Sequence, residues 1–356
     1  MTDRLRAPVL ASDPPTPRPT PRPTPPGAPT SAAAPARWTV KDVLLWTTSR
    51  FEERGLETPR LDAEILTAHA LAVPRVQLYV QFDRPLTSDE LGAIRASVKR
   101  RQAGESVAYV VGKKEFWGLE LAVDARVLVP RPDTETLVDE AMERIGRAPR
   151  VRATRAADLD ADADLSASEE SPAARPDEPA APAAPPAKAA PRIADVGTGS
   201  GAIAITLAKE RPDAVVVATD ISPDALAVAR GNALRHGVAV TILEGDLEAP
   251  LGPHAPFDLI VANLPYIPTA DLAGLPPEVR AEPARALDGG ADGLALVRRL
   301  VAAAPALLAR GGALALEIGA GQALETARLL AAAGLADVRV RRDLGAIERV
   351  VSGVLP

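Results

Sequence analysis

Two stretches of the chain carry residue types that could hold and orient a small ligand. The first is Ile193-Ala-Asp-Val-Gly-Thr-Gly-Ser-Gly201, in which an apolar strand pattern bearing Asp195 runs into Gly197, Gly199 and Gly201, with Thr198 and Ser200 between them. A helical stretch, Ala202 to Glu210, follows. Glycines permit close backbone approach to a ligand. Their spacing is too tight for a dinucleotide fingerprint, and no Gly-Lys-Ser/Thr ending marks a Walker loop. The next strand pattern, Ala214 to Thr219, ends in Asp220. An acid there, about 20 residues beyond the glycines, is placed to hydrogen-bond ribose hydroxyls. The second stretch is Phe257-Asp-Leu-Ile-Val-Ala-Asn-Leu-Pro-Tyr266, a buried-strand pattern running into a stiff polar loop, Asn263-Leu264-Pro265-Tyr266. From Leu119 to Pro356 the only aromatic residues are Phe257 and Tyr266, so a core of small aliphatic side chains has set one ring in a loop.

These stretches need a scaffold that brings strand ends together. Continuous apolar runs ended by Asn, Asp and Pro fit central strands of a parallel sheet, and ligands of such sheets bind outside the carboxyl ends of the strands. Ser222-Pro-Asp starts a helix with Ser222 as cap and Pro223 in its first turn, stopping at Gly237. A third strand, Val238 to Leu243, leads to Gly245-Asp246-Leu247. After Tyr266, Pro276 to Gly293 reads as a long polar lid with proline and glycine punctuation. A helix (Leu294 to Ala309), a strand (Ala313 to Ile318), a helix (Gln322 to Ala333) and two strands near 336–342 and 347–354 complete the pattern.

Upstream, residues 37–105 read as a small helical domain. Thr39 caps a helix with Val40, Val43, Leu44, Thr47 and Phe51 on one face, ending at Gly55. A second helix covers Pro59 to Leu71, and a third runs from near Ser88 to near Gln102. Residues 106–130 read as a connecting β-hairpin, from Val107-Ala-Tyr-Val-Val-Gly112 and Glu115-Phe-Trp-Gly-Leu119. Then Val127-Leu-Val-Pro-Arg-Pro-Asp-Thr-Glu135 opens a helix with Pro132 in its first turn, at the start of a second domain read as 131–356.

The composition sets limits. In 356 residues, 47% hydrophobic, there is no cysteine, which removes disulfides and thiolate metal sites. His69, His236 and His254 are scattered, with no metal-ligand spacing, and no metal is expected. A net charge of −6 argues against a broadly basic nucleic-acid binder. Residues 1–36 hold eleven prolines, several in Thr-Pro-Arg-Pro repeats, and read as a disordered tail. About 150–190 reads as a flexible acidic, Ala/Pro-rich insertion. No stretch is long enough to span a membrane, and Met1-Thr-Asp-Arg-Leu-Arg leads into prolines rather than a signal sequence. A cytoplasmic monomer is the expectation.

Asn263-Leu-Pro-Tyr266 resembles the (Asn/Asp/Ser)-Pro-Pro-(Tyr/Phe/Trp) motif of S-adenosyl-L-methionine-dependent methyltransferases that act on planar nitrogen. Such a nitrogen is a poor nucleophile because its lone pair is delocalised. The resemblance implies that the Asn263 side-chain oxygen and the Leu264 carbonyl accept its two hydrogens, while Tyr266 stacks on the planar group. Leu264 stands where proline is usual; the acceptor there is a backbone carbonyl, which either residue supplies. By the same resemblance the methionine carboxylate and amino group meet the glycine loop, Leu247 packs on the adenine and Asp246 accepts from its amino group. Pro59-Arg-Leu-Asp-Ala-Glu64, Glu115-Phe-Trp-Gly118, Val127 to Glu135 and the Glu282-Pro to Asp288-Gly-Gly290 segment are similar to bacterial peptide-chain release factor glutamine methyltransferases.

That family resemblance implies a class I methyltransferase fold, a Rossmann-like seven-stranded sheet with an N-terminal helical bundle. It implies methyl transfer to N5 of the glutamine in the Gly-Gly-Gln loop of class I release factors, with Arg131 and Glu135 on the substrate side. Glu282 and Arg285 read as lid charges, exposed more readily than organising. Three other readings stay open on the residues: adenine-N6 methylation of DNA or RNA, glutamine methylation of a ribosomal protein, and a non-catalytic scaffold. No direct nucleic-acid partner is expected under the first reading.

Overall fold

Helix signals at the amino-terminal side are met by side chains that satisfy the first free N–H groups. The computed structural model describes residues 38–146 and 190–356. The tail at 1–36 and, but for Ala190, the insertion at about 150–190 lie outside the described residues. Helix α1 (Val40–Glu52) starts at a reciprocal box in which Thr39 Oγ1 accepts from Asp42 N and Asp42 accepts from Thr39 N. Helix α2 (Pro59–Ala70) follows, then α3 (Arg75–Val80) and α4 (Ser88–Gln102), the last with a matching Thr87–Glu90 box. Their apolar faces meet in one core around Val40, Leu44, Phe51, Leu66 and Ile94.

Helix α3 escapes the sequence reading because Arg75-Val-Gln-Leu-Tyr-Val80 alternates like a strand. The segment read as the first arm of a connecting hairpin is helical as well: α5 (Val107–Val111). Its β-branched residues favour strand, but Ser106 Oγ accepts from Tyr109 N and Gly112 closes the turn at φ +78°, so local capping overrides propensity. The hairpin itself is β1 (Lys113–Phe116) and β2 (Leu119–Ala122), joined through Trp117 and Gly118, both at positive φ, which suits a two-residue turn.

From α6 (Glu135–Ile145) onward, strands and helices alternate. In order they are β3 (Arg192–Val196), α7 (Ala202–Glu210), β4 (Val215–Asp220), α8 (Pro223–His236), β5 (Val240–Glu244), β6 (Phe257–Asn263), α9 (Pro277–Arg280), α10 (Ala295–Leu307), β7 (Leu308–Glu317), α11 (Ala323–Ala332), β8 (Ala336–Arg342) and β9 (Glu348–Val354). Among the described residues seven of these strands form one sheet, ordered β5-β4-β3-β6-β7-β9-β8, parallel except for β9. This is the class I methyltransferase topology anticipated from the motifs. Strand β7 begins five residues before the anticipated start at Ala313, because Leu308 already pairs with Phe257 and the ladder resumes at Ala313 after an irregularity.

Both faces of β3 and β6 are buried, one against α10 and α11 and the other against α6 and α7, which explains apolar runs such as Leu259-Ile-Val-Ala262. The order of strands reverses between β3 and β6. Their carboxyl ends therefore open a crevice at Gly197 and Asn263.

Candidate active site

The glycine loop leaves β3 at Val196 and turns at once. Gly197, Gly199 and Gly201 have φ of +75°, +56° and +84°, values that side chains rarely adopt. At Gly201 a Cβ would also fall 3.3 Å from Ala229 Cβ, so glycine lets the start of α7 sit close against α8. The loop hangs from β4, since Gly197 N and Thr198 N both donate to Thr219 O at 2.9 Å. Asp195 anchors it from behind: its Oδ2 accepts from Thr198 Oγ1 at 2.6 Å and from Ala204 N at 3.0 Å. The other oxygen of this wholly buried carboxylate has no partner. Burial is the main reason its pKa rises to about 6, with the Asp220 charge adding to the shift.

Asp220 stands at the end of β4, where Oδ2 accepts from Gly199 N and Oδ1 from Ser222 N, each at 2.9 Å. Leu247, at φ +50°, is set by a Thr219 hydroxyl donating to its carbonyl. Asp246 is half exposed and pairs with Arg299 at 2.6 Å. Gly197, Gly199, Asp220, Asp246, Leu247, Asn263, Leu264 and Pro265 all line one cavity of about 270 Å³, with Arg285 at its wall. Thr198, Ser200, Gly201 and Asp195 are absent from that lining. They support the loop from within, Ser200 through its carbonyl, which accepts from Asn232 Nδ2 at 2.9 Å.

At the end of β6, Asn263 Nδ2 donates to Thr134 Oγ1 at 3.1 Å, which leaves its side-chain oxygen as the free acceptor. Leu264 is 2% exposed, and its Cδ2 would lie 3.2 Å from a Cβ on Gly197, so the two loops touch. The Tyr266 carbonyl accepts from Gln322 Nε2 at 2.9 Å, and burial pushes its phenol up to about 12. A second cavity, about 210 Å³, is lined by Leu128, Arg131, Asn263, Leu264, Tyr266 and residues of the lid. Asn263 and Leu264 are common to both cavities.

The lid packs directly on this loop. Ile267 N donates to Leu287 O at 3.1 Å and Gly289 N to Ile267 O at 2.9 Å. A Cβ on Gly289 would fall 2.6 Å from Pro265 O, and one on Gly293 2.1 Å from Tyr266 O. Glu282 corrects the expectation of an exposed lid charge: it is 3% exposed, pairs with Arg131, and accepts from Val129 N at 3.1 Å. Burial raises its pKa, opposed by Arg131. Glu135 departs from its expected place on the substrate side. It lines neither cavity, because its Oε1 accepts from Trp117 N at the hairpin turn, at 2.9 Å.

Local sequence pattern does not by itself single out two residues beside Asn263. Thr134 sits within Val127 to Glu135, and its part emerges only from its bond to Asn263. Glu317 is the register partner of Asn263 across β6 and β7. Its signal was an acid closing the otherwise apolar run Ala313-Leu-Ala-Leu-Glu317. Among the described residues no group of three or more His, Cys, Asp or Glu side chains could hold a metal ion, and no helix is long and apolar enough to cross a membrane.

Two family models match, a PrmC N-terminal domain over residues 42–112 and a methyltransferase domain over 193–281. A release factor glutamine methyltransferase from Geobacter sulfurreducens is 43% identical over 320 residues, covering 90% of this chain and 98% of the relative. One from Chlorobaculum tepidum is 40% identical, covering 88% of this chain and 97% of the relative. One from Burkholderia pseudomallei is 41% identical over 83% of this chain and 92% of the relative. With likeness of this degree along nearly the whole length of those proteins, the chain belongs to the release factor glutamine methyltransferases.

Proposed function

We propose that the chain transfers a methyl group from S-adenosylmethionine to the side-chain amide nitrogen of the glutamine in the Gly-Gly-Gln loop of class I peptide-chain release factors. The observation that carries this reading is the meeting of two cavities at Asn263 and Leu264, one lined by the glycine loop and two acids, the other by Tyr266 and Arg131. The first cavity fits the donor: its glycines admit close backbone approach, and the unpartnered Asp195 oxygen behind them adds negative potential for an ammonium group. When bound, S-adenosylmethionine supplies an electrophilic methyl group on a positively charged sulfur.

The rest falls to the residues of the chain. Each Asp220 oxygen takes one backbone N–H and keeps lone-pair capacity for a ribose hydroxyl. Leu247 offers an apolar face to the adenine, and Asp246 accepts from its amino group with the oxygen that Arg299 leaves free. The Asn263 side-chain oxygen and the Leu264 carbonyl accept the two amide hydrogens and aim the nitrogen at the donor cavity. Tyr266 bounds the glutamine side. Positioning and fixed dipoles carry the rate, with no strong base needed at the nitrogen. After transfer the nitrogen sheds one proton to solvent.

The helical segment from α1 to α5 is read as the part that grips the body of the release factor, and a cytoplasmic monomer fits a translation enzyme. The test is transfer of labelled methyl from S-adenosylmethionine to purified class I release factor, beside a factor whose Gly-Gly-Gln glutamine is replaced by alanine. Label on the first and none on the second is expected. Label on a ribosomal protein or on nucleic acid, with none on the factor, would overturn the substrate assignment.

A further inference from the structure

Behind the Asn263 loop lies a buried carboxylate that the reaction as described above does not use. Glu317 closes β7, directly across the ladder from Asn263, and is 1% exposed. Its Oε2 is buried without a hydrogen-bond partner. Two residues further on, a Cβ on Gly319 would lie 3.2 Å from Tyr266 Cδ2, so this strand end passes under the tyrosine ring. Thr134 and Tyr266 neighbour the Glu317 carboxylate, and their hydroxyls favour its charged form, as does Arg349. Asp133, paired with Arg349 at 3.5 Å, is the nearby opposing charge.

We propose that Glu317 is a positioning residue for methyl transfer, holding the Thr134 and Tyr266 hydroxyls and so fixing both the Asn263 amide and the Tyr266 ring that receive the glutamine. The argument turns on proton bookkeeping. A hydroxyl has one hydrogen. If Thr134 gives its hydrogen to Glu317, its oxygen can only accept, and what it accepts from is Asn263 Nδ2. The Asn263 oxygen then faces the cavity, which is the orientation that an incoming amide N–H requires. Without the carboxylate, Thr134 can donate to Asn263 instead. The asparagine amide can then turn over and offer the glutamine a second donor in place of an acceptor.

This rests on the glutamine-methylation reading, and the experiment separates the two. Full-length wild type, Glu317→Ala, Glu317→Gln and Thr134→Val are compared for kcat, for KM toward the release factor, and for S-adenosylmethionine affinity by calorimetry. Glu317→Ala and Thr134→Val are expected to lose kcat by roughly 10- to 100-fold, the range of a small misplacement, with unchanged donor affinity. Glu317→Gln keeps an acceptor oxygen for the same hydroxyls and is expected to stay within about 3-fold of wild type. Glu317→Ala with wild-type kcat, or Glu317→Gln falling as far as Glu317→Ala, overturns the proposal. Should Glu317→Ala not fold, the near-isosteric Thr134→Val decides, and wild-type kcat there overturns it. A wild-type chain that does not label the factor defeats the functional reading, whereas labelling unaffected by the variants defeats only the role of Glu317.

Discussion

In the proposed reaction Asn263 is an amide that holds another amide, and its value there lies in presenting an oxygen rather than a nitrogen. Replacing it by alanine removes one of two acceptors and leaves the glycine loop, Asp220 and Leu247 in place. Transfer is therefore expected to fall by about 100-fold or more while donor binding persists, in keeping with the loss of one preorganised dipole. Calorimetry with S-adenosylmethionine beside a methyl-transfer assay checks it, and parallel loss of binding would contradict the assignment. Leu264 tests the companion acceptor. Its carbonyl survives Leu264→Pro, but a buried side chain that touches Gly197 is exchanged for a smaller ring. Activity within about 3-fold of wild type is expected, with stability lower by roughly 1–2 kcal/mol, read from urea titration. A large loss of kcat would mean that the leucine side chain, rather than its carbonyl, serves the reaction.

The elements that place these residues differ in how openly the sequence declares them. The strands β3, β4 and β6 lead directly into the cavity-lining residues Gly197, Asp220 and Asn263, so a strand pattern followed by Gly, Asp or Asn marks both the element and the spot. The alternation of strand and helix from Arg192 onward follows from the same signals. Helices α3 and α5 do not declare themselves, because their local composition favours strand; packing of Leu78 into the helical core decides α3, and the Ser106 cap decides α5. The Arg131–Glu282 pair spans 151 positions and depends on how the lid folds back, which no local pattern records. The lid itself is legible in part: its glycines punctuate a loop, but the structure adds that Gly293, at φ +77°, rests against the Tyr266 carbonyl. Gly293→Ala must push that carbonyl away. Transfer is expected to drop by about 100-fold, since displacements near 1 Å at a positioned group have effects of that size. Gly274→Ala, with open space around its Cβ, is the matched control and should leave activity unchanged.

At the scale of the whole molecule, two buried carboxylates, Asp195 behind the glycine loop and Glu317 behind Asn263, shape how stability responds to pH. Burial raises Glu317 from 4.5 to about 7 and Asp195 from 3.8 to about 6. Between the lower and upper value of each, the folded chain holds a proton that the unfolded chain has released. Their favourable contribution is thus complete below pH 4 and is lost as pH rises through 6 and 7. Surface acids held by arginines behave oppositely: Asp292 is lowered to about 2 by Arg298, so its effect lies at more acidic pH. The loss of stability above pH 5 therefore comes from buried carboxylates, Glu282 among them, and Glu317→Gln isolates one member. The amide cannot ionise, so the variant should gain stability relative to wild type as pH rises. From the shift in Glu317, the gain at pH 8 over that at pH 5 is on the order of 2 kcal/mol. Urea unfolding of both chains at the two pH values measures it. Parallel profiles would mean that Glu317 titrates normally in the folded chain, and that water or a rearranged side chain solvates it. A diverging pair of profiles together with wild-type methyl transfer by Glu317→Gln would separate what the site needs, an acceptor oxygen, from what burying that acceptor as a carboxylate costs the fold.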